Sequence, residues 1–146
     1  MELRPLSKEN YRDAKNLFKR TFKIPYADFI VSWNERSTPD SFSIFYENRF
    51  IGFVIASYHR SSGSNMYIDY IALDPEYRGN GIGSTLLRML VEKCYRENRS
   101  VHLYPERKDI LSWYARHGFN QTINGHYVFH SYSTRKQHIH HKALGF

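Results

Sequence analysis

The stretch Leu73-Asp74-Pro75-Glu76-Tyr77-Arg78-Gly79-Asn80-Gly81-Ile82-Gly83-Ser84 constrains the fold of this chain more than any other. Ahead of it, Met66 to Leu73 is rich in β-branched and aromatic residues and reads as a strand, which Asp-Pro ends because proline has no N–H for a ladder. Behind it, Leu86, Leu87, Leu90, Val91 and Cys94 recur at the spacing of one helix face. Between the two, glycines at 79, 81 and 83 let backbone N–H groups converge with no Cβ in the way, and the helix N-terminus adds partial positive charge. Strand, glycine-rich loop and helix in this order make a phosphate cradle.

Two familiar phosphate loops do not fit. A mononucleotide loop ends in Gly-Lys-Ser/Thr, and this one has no lysine; a dinucleotide loop wants glycine where Ser84 stands and parallel strands around it. The strands ahead of the loop are instead an antiparallel meander: Ser41 to Tyr46, Phe50 to His59 and Met66 to Leu73, with Glu47-Asn48-Arg49 and the Ser/Gly stretch from Arg60 to Asn65 as turns. Before the meander come a short strand over residues 2–6 and a helix capped by Ser7, with Tyr11, Ala14, Leu17, Phe18 and Phe22 on its apolar face. A second helix runs through Ala27, Ile30 and Trp33 to a break at Thr38-Pro39-Asp40. After the glycine-opened helix, which ends near Asn98, the pattern predicts a strand at Val101 to Tyr104 and a helix from Lys108 to His117 stopped by Gly118. Phe119 to Thr122 and Tyr127 to Tyr132 then close the sheet. The class is mixed α/β (α+β).

A chain of 146 residues holds a single domain, here residues 1–133, followed by a basic, His-rich tail over 134–146. The net charge of +7 favours a polyanionic partner, and the tail supplies three of those charges through Arg135, Lys136 and Lys142. No apolar run approaches the roughly 20 residues of a membrane span. The first residues lack a leader's apolar region and Cys94 is the lone cysteine, so the expected location is cytoplasmic. No RNA-binding motif or sustained basic helix accompanies the basicity, which argues against nucleic acid. His138, His140 and His141 do not make a converging zinc set with Cys94, so no metal is expected.

Arg78-x-x-Gly81-x-Gly83 resembles the acetyl-CoA signature of the GCN5-related N-acetyltransferases, the GNAT superfamily. The strand with Asp-Pro before it agrees, and Tyr114-Ala115-Arg116-His117-Gly118-Phe119 resembles the family's second motif, Tyr-x-x-x-Gly-Phe. The likeness covers about residues 1–132. It implies a GNAT fold, with a mixed, mostly antiparallel central sheet of about seven strands flanked by about four helices. It also implies acetyl-CoA, its pantetheine arm on the main chain of Ile71, Ala72 and Leu73 and its pyrophosphate on the N–H groups of Arg78, Gly79, Asn80, Gly81, Ile82, Gly83 and Ser84. Tyr114 is then the acid that protonates the departing thiolate. Many members carry asparagine seven residues before that tyrosine; this chain has Arg107, which can reach a phosphate.

Acetylating an amine requires a neutral nucleophile, so a proton must leave through a base or a water chain. An α-amino group, with a pKa near 7.8, is far closer to neutrality than a lysine near 10.4; the gap is worth roughly 3.5 kcal/mol, and a weak base serves the first. By strand alternation Tyr67, Asp69, Ile71 and Leu73 share one face, and the next strand offers His102. Histidine has the intrinsic pKa suited to a base at neutral pH, Tyr67 can hold a relay water, and Asp69 is the carboxylate on that strand. A tyrosine and a histidine at these offsets are similar to the catalytic pair of protein N-terminal acetyltransferases. Phe22, Ile24 and Tyr26 are similar to the loop that receives their peptide, with Tyr127 as the opposing wall.

The expected partners are therefore acetyl-CoA and a primary amine, first of all a peptide N-terminus. Two alternatives stay open. One is a small amine acceptor, a polyamine or amino sugar, for which Asp69 matters more than His102; the other is an acyl-CoA-binding module without chemistry.

Overall fold

In the computed structural model the described residues are 1–58, 61, 65–103, 115, 116, 118–121 and 127–129. Their strands are β1 (Glu2–Pro5), β2 (Phe42–Tyr46), β3 (Arg49–Ala56), β4 (Asn65–Leu73), β5 (Ser100–Leu103), β6 (Asn120–Gln121) and β7 (Tyr127–Phe129). They form one sheet in the order β1-β2-β3-β4-β5-β7-β6. Every neighbouring pair is antiparallel except β4 with β5. The α-helices are α1 (Tyr11–Thr21), α2 (Tyr26–Asn34) and α3 (Ile82–Arg96). Most of the helix expected over Lys108–His117 lies outside the described residues, but Ala115 and Arg116 are helical, and Gly118 at φ 88 supplies the left-handed stop.

β3 builds the two cores by alternation from Gly52 onward, after a register shift against β2 (Ile44 opposite Gly52, Phe45 opposite Phe50) that leaves Ile51 as an extra residue turned toward α3. Ile51, Val54 and Ala56 meet Leu86, Leu87, Leu90, Val91 and Cys94 of α3, whereas Phe53 and Ile55 meet Ala14, Leu17 and Phe18 of α1 and Phe29 and Trp33 of α2. The buried positions of α2 are Phe29 and Trp33, four residues apart; Ala27, expected on the apolar face, is exposed because the helix is rotated to seat the two large rings. Ser7 caps a short 3₁₀ turn, Lys8–Asn10, ahead of α1, and its N–H donates to Asn10 Oδ1 at 3.1 Å. Glu47 at φ 50 and Asn48 at φ 64 form a two-residue hairpin turn of the kind that suits strand twist, so Arg49, expected in the turn, already pairs with Tyr46. β3 ends at Ala56, earlier than the expected His59, which lies outside the described residues.

The β3–β4 ladder holds the bend that matters most. Ile55 pairs with Tyr70 and Ala56 with Ile68, leaving Asp69 as the extra residue of a bulge. Met66 and Ile68 face α3 before it, and Ile71 and Leu73 face α3 after it. The shared face expected for Tyr67, Asp69, Ile71 and Leu73 is therefore wrong: the inserted residue shifts the alternation by one, so Tyr67, Asp69, Tyr70 and Ala72 stand on the α1/α2 side. Gly52 is needed opposite this segment, because a Cβ there would lie 2.4 Å from the Ala72 carbonyl oxygen.

A buried ion pair locks the far end. Arg99 donates to both carboxylate oxygens of Asp40, at 2.8 and 2.6 Å, and to the Asn65 carbonyl at 2.8 Å. It is placed by the end of α3, where Asn98 turns left-handed at φ 55 and the Arg99 N–H donates to the Cys94 carbonyl at 2.7 Å. Burial pushes the Asp40 carboxyl up, but the hydrogen bonds and charge of Arg99, with Lys93, bring it below its ordinary value. That stabilisation is complete above the unfolded carboxylate value of about 3.9 and is lost as the pH falls through the lower folded value. Arg99→Met strands the Asp40 charge and is expected to remove about 3–5 kcal/mol at pH 7. Urea unfolding at pH 7 and pH 3 checks this, with the difference from wild type narrowing at the lower pH.

Candidate active site

The parallel β4–β5 register sets Tyr67 directly beside His102. Val101 and Leu103 point into the α3 core, so His102 points the other way, onto the face that carries Tyr67. The two rings stack with centroids 4.5 Å apart and planes within 10°. Tyr67 is held from both sides of its backbone: its carbonyl accepts from the Ser57 N–H at 2.8 Å, and its N–H donates to Ser61 Oγ at 3.0 Å. His102 Nε2 lies 3.1 Å from Asn65 Oδ1. The bulge brings Asp69 to the same face, where its Oδ2 accepts from Ser32 Oγ of α2 at 3.2 Å.

Aromatic rings wall this face. Tyr70 meets Phe18 and Phe22 edge-on, each with centroids 5.2 Å apart. Phe22, Ile24 and Tyr26 are half-buried and pack against the α1/α2 core, and the Tyr26 hydroxyl is hydrogen-bonded to that of Tyr11. That bond holds the Tyr11 phenol above its ordinary pKa. Lys19 Nζ sits 4.6 Å from the centre of the Tyr26 ring. The structure thus gathers Tyr67, His102, Asp69, Phe22, Ile24 and Tyr26 on one side of the sheet. Tyr114 and Arg107 lie outside the described residues, and for Tyr127 only the backbone is described, paired with Leu103 and Gln121.

The residues expected to hold the cofactor lie where β4 runs on past β5. The last β4–β5 partners are Ile68 and Leu103, so among the described residues no strand flanks Ile71 to Leu73 on that side. Arg78 turns back and donates from Nε to the Leu73 carbonyl at 2.9 Å. Gly79 at φ 81 and Gly81 at φ 87 take left-handed backbone, and a Cβ at either would meet nothing within 4 Å. Gly81 caps α3, whose first turn carries no acidic side chain. Gly83, expected in the loop, is inside that first turn instead. Open space over exposed glycines, at the positive end of a helix with no acidic residue in its first turn, fits the pyrophosphate of a CoA-type molecule. Cys94 is no nucleophile here: it is buried among α3 core residues, and burial pushes its thiol up to about 12.

Sequence reasoning missed Asn65, Ser32 and Tyr70. Asn65 falls in the stretch that the sequence reads as a turn, and neither Ser32 nor Tyr70 carries a local signal, because the bulge leaves no trace in strand alternation.

The profile of the Acetyltransferase (GNAT) family matches residues 5–119. N-alpha-acetyltransferase 30 of Schizosaccharomyces pombe is 28% identical over 121 residues, covering 79% of this chain and 81% of that protein. Among solved structures, Arabidopsis thaliana Naa50 in complex with the bisubstrate analogue CoA-Ac-MVNAL superposes with a TM-score of 0.70 at 22% identity, covering 87% of this chain and 95% of that one. The PaiA N-acetyltransferase from Thermoplasma acidophilum, in complex with coenzyme A, superposes with a TM-score of 0.61 at 23% identity and the same coverage, 87% and 95%.

Gly81→Val would force a β-branched residue into left-handed backbone and fill the space above the loop. Its expected result is a loss of acetyl-CoA binding of at least a hundredfold by calorimetry in a protein that still folds, with its thermal midpoint lowered by the strained loop; retained affinity would remove the loop from the cofactor site.

Proposed function

This chain belongs to the GNAT acetyltransferase family, whose acyl donor is acetyl-CoA, and on that premise we propose that it acetylates the free α-amino group at the N-terminus of a protein or peptide. The stacked Tyr67–His102 pair carries the reading, because it puts a weak base beside the cofactor strand on the aromatic-walled side. The likeness to N-alpha-acetyltransferase 30 and to the Naa50 complex with a peptide-bearing analogue supports it.

Acetyl-CoA supplies an activated thioester when bound. The chain's part is to hold it and to manage protons. N–H groups at the start of α3 bind the pyrophosphate, and the main chain of Ile71 to Leu73 receives the pantetheine arm. Phe22, Ile24, Tyr26 and Tyr70 confine the first residue of the acceptor and exclude water from around it, with Tyr127 as the opposite wall. Tyr67 and His102 take the proton from the attacking amine through a water held by the tyrosine hydroxyl. An α-amino group needs no stronger base. Tyr114 returns a proton to the departing thiolate, the role that the family motif implies.

A second reading rests on Asp69. Its carboxylate stands on the acceptor side, tied to Ser32, where it can hold a cationic small amine. Acetyl transfer, followed as CoA release across free and blocked peptides, polyamines and aminoglycosides, separates the two. Activity confined to free peptide N-termini is the expected result, and activity on small amines alone would replace the peptide reading. His102→Ala is expected to lower peptide acetylation by well over tenfold, and Asp69→Asn to change it by less than threefold. Tyr114→Phe should lower turnover more than acetyl-CoA affinity.

A further inference from the structure

We propose that Asn65 is a positioning residue for the catalytic base: it sets the tautomer of His102, so that the ring receives the acceptor's proton at Nδ1. The inference rests on the reading of His102 as that base and deepens it. Asn65 opens β4 beside Ser100, two residues before Tyr67 and two before the register position of His102. Alternation therefore puts its side chain on the face that carries both rings. Its Oδ1 lies 3.1 Å from His102 Nε2. With Oδ1 rather than the amide nitrogen turned to the ring, the contact is an acceptor for Nε2–H, which leaves the lone pair on Nδ1.

Asn65 is itself anchored. Its carbonyl accepts from Arg99 Nη2 at 2.8 Å, and Arg99 is gripped by both oxygens of buried Asp40. The asparagine that orients the ring is thus tied through its main chain to the most buried ion pair among the described residues, and this contact does not depend on its side chain. Among the described residues, the titratable groups on the ring's face include Tyr67, stacked on it from β4, and Asp69, farther along the same face; from β7 the register partner is Val128, which does not titrate.

The test is a long-range ¹H–¹⁵N correlation spectrum of the imidazoles in labelled full-length protein above their titration range. His102→Gln identifies the ring's signals among the eight histidines of the chain. The expected wild-type pattern is the Nε2–H tautomer; an Nδ1–H tautomer overturns the proposal. Asn65→Leu, of similar size and without an acceptor, should release the tautomer and lower kcat about tenfold or more with the peptide KM nearly unchanged. An unaltered tautomer or unaltered kcat in that variant would also overturn it. Asn65→Asp keeps an acceptor oxygen, so it should retain the Nε2–H form and raise the ring's titration midpoint; loss of that form counts against the proposal. Should Asn65→Leu fail to fold, the wild-type and Asn65→Asp spectra still decide. The tautomer is read without any acceptor present, so a wrong peptide assignment cannot be mistaken for a wrong role of Asn65.

Discussion

One extra residue in β4 organises the rest of the molecule. By inserting Asp69 into the ladder with β3, the bulge reverses which side chains face which core halfway along the strand. The first half, through Met66 and Ile68, is bolted to α3 and paired with β5. The second half keeps only β3 as a described neighbour from Ile71 onward and so offers main chain to a ligand. A regular strand would have put Tyr67 and Ile71 on one face; the bulged one sends Tyr67, Asp69 and Tyr70 together toward α1 and α2. One strand thus contributes both to the aromatic-walled face and to the main chain left without a described partner beyond β5.

The bulge would serve little if β5 were free to slide. Parallel pairing with β4 is what brings His102 beside Tyr67, and a slip of one residue would turn His102 into the α3 core. Two features guard the register. The left-handed turn at Asn98 sets where α3 stops and β5 begins, and the Arg99 guanidinium then reaches Asp40 and Asn65 together. A buried pair of charges is costly unless fully bonded, and that cost makes it specific: another register leaves Asp40 or Arg99 buried alone.

Much of the plan was legible from the chain. The α3 face, Leu86 to Cys94, is read correctly because a helix repeats its spacing over several turns. The glycines at 79 and 81 are read correctly because positive φ has a residue preference. Tyr67 beside His102 follows from two offsets that survive small errors in strand ends. The failures have one character. Ala27, Arg49 and the face of Ile71 and Leu73 were placed by local pattern, and each was decided by a partner: two rings seated under α2, a hairpin with Tyr46, and a bulge against β3.

Sequence by itself therefore determined the class of fold, the strand-loop-helix with its positive-φ glycines and the residue types available for the chemistry, since these rest on periodicity and on the conformational limits of glycine and proline. Tertiary structure decided which side of the sheet each β4 residue faces, that Asn65 touches His102 and that Ser32 touches Asp69. The last two contacts join residues 37 apart in the chain. No local preference encodes them; they exist because β-sheet register and the packing of α2 bring distant positions within hydrogen-bonding reach.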